Sequence, residues 1–152
     1  MAHYFAHQAD SPDATRVHAG AVVAVYHSDR LLLDHRRDGS WGLIGGALEI
    51  GESVQQCGRR EVLEETGLEI AELQLVGIFS APDRKIHRNG EVVQLLTTCF
   101  AAQAPHTEIE ISHESKDARF FSIDQLSTLD IVETHQAIIP YLFSSNKWPV
   151  IL

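Results

Sequence analysis

The sequence predicts an α/β domain, one mixed sheet with helices packed on its faces, and three observations carry that expectation. The 152 residues are 44% hydrophobic, an ordinary supply for a single buried core. Apolar runs and helical stretches follow in the order strands, helix, strands, helix. Two breaks between strand-like runs carry hairpin signals: His27 to Arg30, and the pair Asn89 and Gly90.

Residues 1–16 are polar and punctuated by Asp10, Ser11, Pro12 and Asp13. They read as a loosely held arm ahead of a single domain over 17–152. Residues 19–26 and 31–34 are β-branched or aliphatic runs that form the first hairpin, and the glycine-rich stretch WGLIGGALEIGES follows. A helix comes next. Ser53 can cap it and Gln56 can complete a capping box. Gly67 ends it, with Leu68 able to pack back on Leu63 as a Schellman stop. Residues 73–80 and 92–101 are strand-like and flank the Asn89 and Gly90 turn, whereas 103–116 are polar and irregular. Residues 118–123 (ARFFSI) form a short strand, and Asp124, Gln125 and Leu126 open a turn or short helix. A second helix is expected over 134–143, with Ile138, Ile139, Tyr141 and Leu142 as its apolar residues and a kink at Pro140.

Composition excludes several classes. A net charge of −9 argues against long nucleic acid as a partner, because such binding rests on basic side chains displacing counterions. Small anionic ligands remain open if a metal ion supplies positive charge. Cys57 and Cys99 are too few for a disulfide scaffold and lack metal-site spacing. No apolar run approaches the ~20 residues of a membrane span. The first residues lack the basic patch and apolar core of a signal peptide, so a cytoplasmic protein is expected.

The first helix is the unusual element. Residues 49–69 hold six acids and two bases, a local net of −4. Glu61, Glu64 and Glu65 stand at i, i+3 and i+4, where like charges repel, and near a helix C-terminus that disfavours anions. At roughly 100° per residue, Glu61 and Glu65 share the side of the helix that carries Val54 and Val62. Desolvating an unpaired carboxylate costs several kcal/mol, and Arg60 cannot serve all three. A divalent cation can, and clustered carboxylate oxygens suit Mg²⁺ or Mn²⁺.

Gly46, Glu52 and the run from Arg60 through Glu61, Val62, Glu64, Glu65 and Gly67 to Leu68 resemble the Nudix box, Gly-x5-Glu-x7-Arg-Glu-U-x-Glu-Glu-x-Gly-U with U aliphatic, at every defined position. The resemblance implies the Nudix α/β/α sandwich around a mixed sheet. It also implies a hydrolase that splits the pyrophosphate bond of a nucleoside diphosphate linked to another group. Carboxylates alone would repel a diphosphate; holding cations, they become a clamp on its oxygens and acidify bound water.

Roles follow from that resemblance. Glu61 and Glu65, one turn apart, are the expected metal ligands, with Glu64 next, as a ligand or through a bound water. Gly45, Gly46 and Gly51 are expected to adopt backbone angles closed to other residues and to offer backbone groups to metal or phosphate, Gly46 above all. Glu52 is expected in a supporting catalytic role, and Arg60 to orient a carboxylate. Close packing is the expected reason for Gly58. Ile44 stands where many relatives have proline, which implies an altered loop with the chemistry kept.

Family members often take a further acid from a later loop. Glu114 is the candidate general base, in competition with Glu108, Glu110 and Asp117. Basic residues near the motif could meet phosphate or ribose oxygens: His35, Arg36 and Arg37 before the glycine-rich loop, and Arg84, Lys85 and Arg88 around the second hairpin. Trp41 and Phe79 could stack on a base or lie buried. The expected partner is a small nucleotide, with a homodimer as a possible assembly. ADP-ribose or a nucleotide sugar is preferred as substrate, Pro82 resembling ADP-ribose-cleaving relatives. The alternatives are a nucleoside triphosphate or dinucleoside polyphosphate, or a non-catalytic nucleotide sensor.

Overall fold

The computed structural model describes residues 3, 4, 8 and 10–152. Its spine is a parallel pair, β2 (Arg16–His27) against β8 (Glu91–Gln103), in register from Arg16 opposite Val93 to Tyr26 opposite Gln103. Strand alternation sends Ala21, Val23 and Val25 to one face with Leu32, Phe100 and Ala102. Val22 and Ala24 go to the other with Leu31, Leu33, Cys99 and Ala101. Both faces are covered, which is why β2 reads as a nearly unbroken apolar run.

The remaining strands attach to this spine. Ser28 and Asp29 turn β2 into β3 (Arg30–Arg36), and Ser28 takes a positive φ of 53°. The glycine-rich stretch forms two short strands, β4 (Trp41–Gly42) on β3 and β5 (Ile44–Ala47) on β2. β9 (Ser115–Ser122) runs antiparallel to β3. On the other side, β6 (Gln74–Phe79) and β7 (Lys85–Arg88) both pair with β8.

The strand β7 was not anticipated. Asn89 and Gly90 do make a tight hairpin, with φ of 51° and 81°. Two positive φ values in a two-residue loop demand immediate pairing, so Arg88 meets Glu91. The partner of the first half of β8 is therefore β7, and β6 pairs farther along. In the expected arm, β1 (His3–Tyr4) pairs with β7 at the sheet edge, while residues 1, 2, 5–7 and 9 lie outside the described residues.

The first face is covered by α1 (Val54–Thr66), which contributes Cys57 and Val62. The second is covered by α2 (Ile123–Leu126), α3 (Glu133–Gln136) and the turns that follow; β10 (Val150–Ile151) closes the chain beside β6. The expected helix over 134–143 does not form. It stops at Gln136 and resumes as a 3₁₀ turn at Ile139–Tyr141. Pro140 has no N–H, and its ring would strike the Gln136 carbonyl in an α-helix. Ile138 and Leu142 are buried all the same. At the end of α1, Leu68 joins the core while Leu63 stays exposed, and the Gly67 N–H bonds the Leu63 carbonyl. No helix among the described residues is long and apolar enough to cross a membrane.

Candidate functional site

The local sequence sets α1 firmly. Ser53 Oγ accepts from the Gln56 N–H at 3.2 Å, and Gln56 Oε1 accepts from the Ser53 N–H at 2.7 Å. At the far end Gly67 adopts φ 73° and donates its N–H to the Leu63 carbonyl at 2.9 Å. Between these caps Cys57, Gly58, Val62 and Thr66 face the sheet. Gly58 is glycine for lack of room, since a Cβ there would lie 3.0 Å from Val23 Cγ2.

The next stripe of α1 carries Glu61 and Glu65, which turn toward β5. Space governs this approach. A Cβ on Gly46 would stand 2.3 Å from Glu61 Oε1, and one on Gly45 would stand 2.2 Å from the Ala21 carbonyl. Neither glycine has a positive φ; of the three glycines expected to need one, only Gly51 does, at 92°. The expectation for Gly45 and Gly46 is corrected accordingly, because β5 lies flat against β2 and it is side-chain volume that has no place there.

Arg60 organises the carboxylates above this seat. Its Nε donates to Glu52 Oε2 at 3.0 Å and its Nη2 to Glu52 Oε1 at 2.7 Å. Its Nη1 donates to Glu61 Oε1 at 2.7 Å and to Glu64 Oε2 at 3.3 Å. Nη2 also reaches the Ala47 carbonyl at 3.1 Å. The guanidinium holds the Glu52 carboxyl down to about 2, helped by the Glu49 N–H. Burial raises Glu61 despite Arg60. Glu65 has no ion pair among the described residues. Burial first, then the charges of Asp34 and Glu61, push it up to about 8, against the opposing pull of Arg36 and a hydrogen bond from the Gly45 backbone.

Asp34 was not anticipated. It follows Leu32 on the α1 face of β3, and burial raises its carboxyl in spite of a hydrogen bond from Ser115 and the charge of Arg36. The one sequence signal was an acid at an inward position of an alternating strand. His135 is the second residue missed, with no local signal at all. Its Nδ1 accepts from the Leu43 N–H at 3.0 Å, and the ring lies over Gly42, where a Cβ would be 3.1 Å from Nδ1. Burial, Arg36 and Arg84 together hold the imidazole down to about 3, so it is neutral with its proton on Nε2.

The other expected residues are scattered. Arg36 stands at the site: its charge acts on Asp34, Glu65 and His135. Arg37 donates instead to the His113 carbonyl. Arg84 lies on the opposite face of the sheet and is buried, bonded to Thr97 Oγ1 and the Thr134 carbonyl. Glu64 is exposed. Glu114 is exposed in the loop before β9, close enough for its charge to act on Asp34. Of its competitors, Asp117 pairs with Arg119 and Glu110 lies against Gly67. Phe79 is buried, whereas Trp41 stacks on His35 with centroids 4.4 Å apart. A depression of about 610 Å³ around Tyr26, Gln103 and Trp148 lies at the far end of β2 from the carboxylates.

Among the described residues, no three His, Cys, Asp or Glu side chains converge into a ready metal cage. The donor set still fits a hard divalent ion. Its members are carboxylate oxygens, the glycine seat leaves room beside Glu61, and Glu65 has like-charged neighbours with no ion pair of its own.

Comparison with known proteins is specific: the NUDIX domain model matches residues 16–142, and the chain belongs to the NUDIX family. It is a Nudix hydrolase, an enzyme that cleaves pyrophosphate bonds in nucleoside diphosphate-linked compounds, in a family that generally uses divalent metals. The ADP-ribose pyrophosphatase of Methanocaldococcus jannaschii is 32% identical over 126 residues, covering 80% of this chain and 70% of that protein. The NAD-capped RNA hydrolase NudC of Pseudomonas aeruginosa is 33% identical over 118 residues, covering 75% of this chain but only 39% of its own length. Among solved structures, a NUDIX hydrolase from Nitrosomonas europaea superposes with a TM-score of 0.69 at 22% identity, covering 84% of this chain and 69% of that one.

Proposed function

We propose that the substrate is ADP-ribose or a closely similar nucleotide sugar, and that Mg²⁺ or Mn²⁺ serves the reaction. The observation that carries the chemistry is the pair Glu61 and Glu65, one helical turn apart beside Gly46, with Glu65 raised to about 8. Support for the substrate comes from the archaeal ADP-ribose pyrophosphatase, which matches most of this chain.

Glu61, Glu65 and the Gly46 carbonyl would hold a divalent ion, with Glu64 reached through water; once bound, it withdraws charge from the diphosphate and acidifies water. Arg60 fixes Glu52 and Glu61 by charge-assisted hydrogen bonds and leaves no donor aimed at substrate. Arg36 offers its guanidinium to the phosphate oxygens. Glu114 takes the proton of the attacking water, and Asp34 is the nearer acid that can relay it. Arg37 keeps the Glu114 loop in place through the His113 carbonyl.

Three further readings belong to this proposal. The arm over 1–16 and the domain over 17–152 are supported by a family match that begins at residue 16. A cytoplasmic location accords with two buried free cysteines. A homodimer is testable by sedimentation.

The experiment for function is product release from ADP-ribose, nucleotide sugars, nucleoside triphosphates and dinucleoside polyphosphates, with Mg²⁺, Mn²⁺ or chelator. ADP-ribose should give AMP and ribose 5-phosphate with the highest kcat/KM, only with metal. A triphosphate favoured tenfold over ADP-ribose would overturn the substrate assignment.

A further inference from the structure

Glu114 is exposed, yet the turn that carries it is anchored to two separate elements of the site. Residues 112–115 form a β-turn, closed by the Ser115 N–H on the Ser112 carbonyl at 3.2 Å, with His113 and Glu114 at its tip. Ser112 does more than open this turn. Its Oγ accepts from the Glu114 N–H at 3.3 Å, the local bond that favours serine in such a place. Its own N–H donates to the Glu65 carbonyl at 3.3 Å, and two residues earlier the Glu110 N–H donates to the Thr66 carbonyl at 2.9 Å.

Those two carbonyls belong to the last turn of α1, where no intrahelical N–H remains to meet them. The loop supplies the missing donors, and so takes its place from the backbone of Glu65 itself. Two further contacts tie the turn to the end of β3. Arg37 donates to the His113 carbonyl, and Ser115 hydrogen-bonds the Asp34 carboxyl. The turn therefore bridges the elements that carry Glu65 and Asp34, and among these contacts only that of the Ser112 hydroxyl reaches Glu114 directly. A base must come within hydrogen-bond reach of its water, and a carboxylate on a freely moving turn would lose that reach to conformational entropy.

We propose that Ser112 is a positioning residue for hydrolysis: it sets the turn that presents Glu114 and fastens that turn to the backbone of Glu65. This rests on the reading of Glu114 as the group that takes the proton of the attacking water, and adds what holds that group in place.

The test uses Ser112→Ala, which removes the Oγ acceptor, and Ser112→Asn, whose amide oxygen can accept from the same N–H. Each is made alone and together with Glu114→Gln, and kcat, KM and Mn²⁺ binding by calorimetry are measured. Ser112→Ala should lower kcat about five- to tenfold, the effect of roughly one hydrogen bond, with KM, Mn²⁺ affinity and melting temperature near wild type. Ser112→Asn should recover kcat to within twofold. In the Glu114→Gln background the alanine change should alter kcat less than twofold, because the group it positions is gone. A kcat within twofold of wild type in Ser112→Ala alone would overturn the proposal. So would an equal loss in both backgrounds, which makes Ser112 purely structural, or a tenfold loss of Mn²⁺ affinity, which places its action at Glu65. Wild-type turnover in Glu114→Gln would remove the base and this role together while leaving the hydrolase reading in place. Wild type inactive on every substrate would sink that reading instead, and amide exchange then decides without substrate. The Glu114 amide proton should exchange at least fivefold faster in Ser112→Ala and as slowly as wild type in Ser112→Asn; unchanged exchange in the alanine variant rejects the fastening.

Discussion

Arg60 and Glu52, eight residues apart, meet as a two-pronged ion pair, Nη2 to Oε1 at 2.7 Å and Nε to Oε2 at 3.0 Å. The pair ties the loop before α1 to the helix itself, and the third nitrogen of the same guanidinium holds Glu61 at 2.7 Å. Lysine has one ammonium and cannot reproduce this fork. Arg60→Lys should therefore lower kcat about tenfold, roughly the 1.4 kcal/mol that one misplaced charge-assisted bond represents. The sign in pH follows from Glu52. Its folded carboxyl lies near 2, below the usual 4.5, so the pair stabilises the protein above pH 4.5 and is lost as pH falls toward 2. Chemical denaturation from pH 5 to 3 should show a shallower loss in the lysine variant than in wild type.

The two adjacent glycines of β5 should separate fold from activity. A Cβ on Gly45 meets backbone, at 2.2 Å from the Ala21 carbonyl and 2.7 Å from Val22 Cα. The three atoms nearest a Cβ on Gly46 all belong to the Glu61 carboxylate, the end of a side chain. Gly45→Ala should fail to give soluble folded protein. Gly46→Ala should fold with a melting temperature close to wild type, yet bind Mn²⁺ at least tenfold more weakly by calorimetry, because its carboxylate is pushed from its seat. Equal stability of the two variants would contradict the packing described.

Much of this was legible beforehand, and the reasons differ by element. The capping box at Ser53, the stop at Gly67 and the turn at Asn89 and Gly90 are local chemistry, so three or four letters sufficed. The acids of α1 were legible because their spacing contradicts helix stability unless something binds them. Asp34 and His135 were not, since each matters only through chain that is distant in sequence: Ser115 and Glu65 for one, Leu43 for the other. Arg84 reads from the sequence as a cation for phosphate or ribose oxygens, because nothing nearby reveals that Thr97 and Thr134 enclose it. Pro140 was noticed, but tertiary burial of Ile138 and Leu142 is satisfied by a broken helix as well as by a kinked one.

Glu65→Gln should cost turnover at least a hundredfold and leave the fold intact. In chelator, the wild-type carboxyl titrates near 8 against the usual 4.5. A raised acid holds its proton in the folded state, so its favourable contribution is complete below pH 4.5 and disappears as pH rises through 8. The glutamine variant has nothing to lose in that window. It should match wild type near pH 4.5 and melt at least roughly 2–4 °C higher at pH 9, the shift that each 1 kcal/mol produces in a chain of this size. A lower melting temperature at pH 9 would contradict the crowding of Glu65 by Asp34 and Glu61.

His135 makes the opposite pH prediction. Its imidazole lies near 3 when folded and near 6.5 when unfolded, because burial and two guanidiniums disfavour the charged ring. Its contribution is therefore complete above pH 6.5 and is lost as pH falls toward 3. Asparagine can place an amide oxygen where Nδ1 accepts from the Leu43 N–H, but it has no proton to take up. His135→Asn should thus be less stable than wild type at pH 7.5, where repacking over Gly42 is its main handicap. The gap should narrow by about 2 kcal/mol by pH 5, as the native protein alone loses stability. Urea unfolding at the two pH values measures this directly. A gap that stays constant would mean that the ring is hydrated enough to protonate in place, and that its hold on the strand leading to Gly45 and Gly46 does not depend on its neutrality.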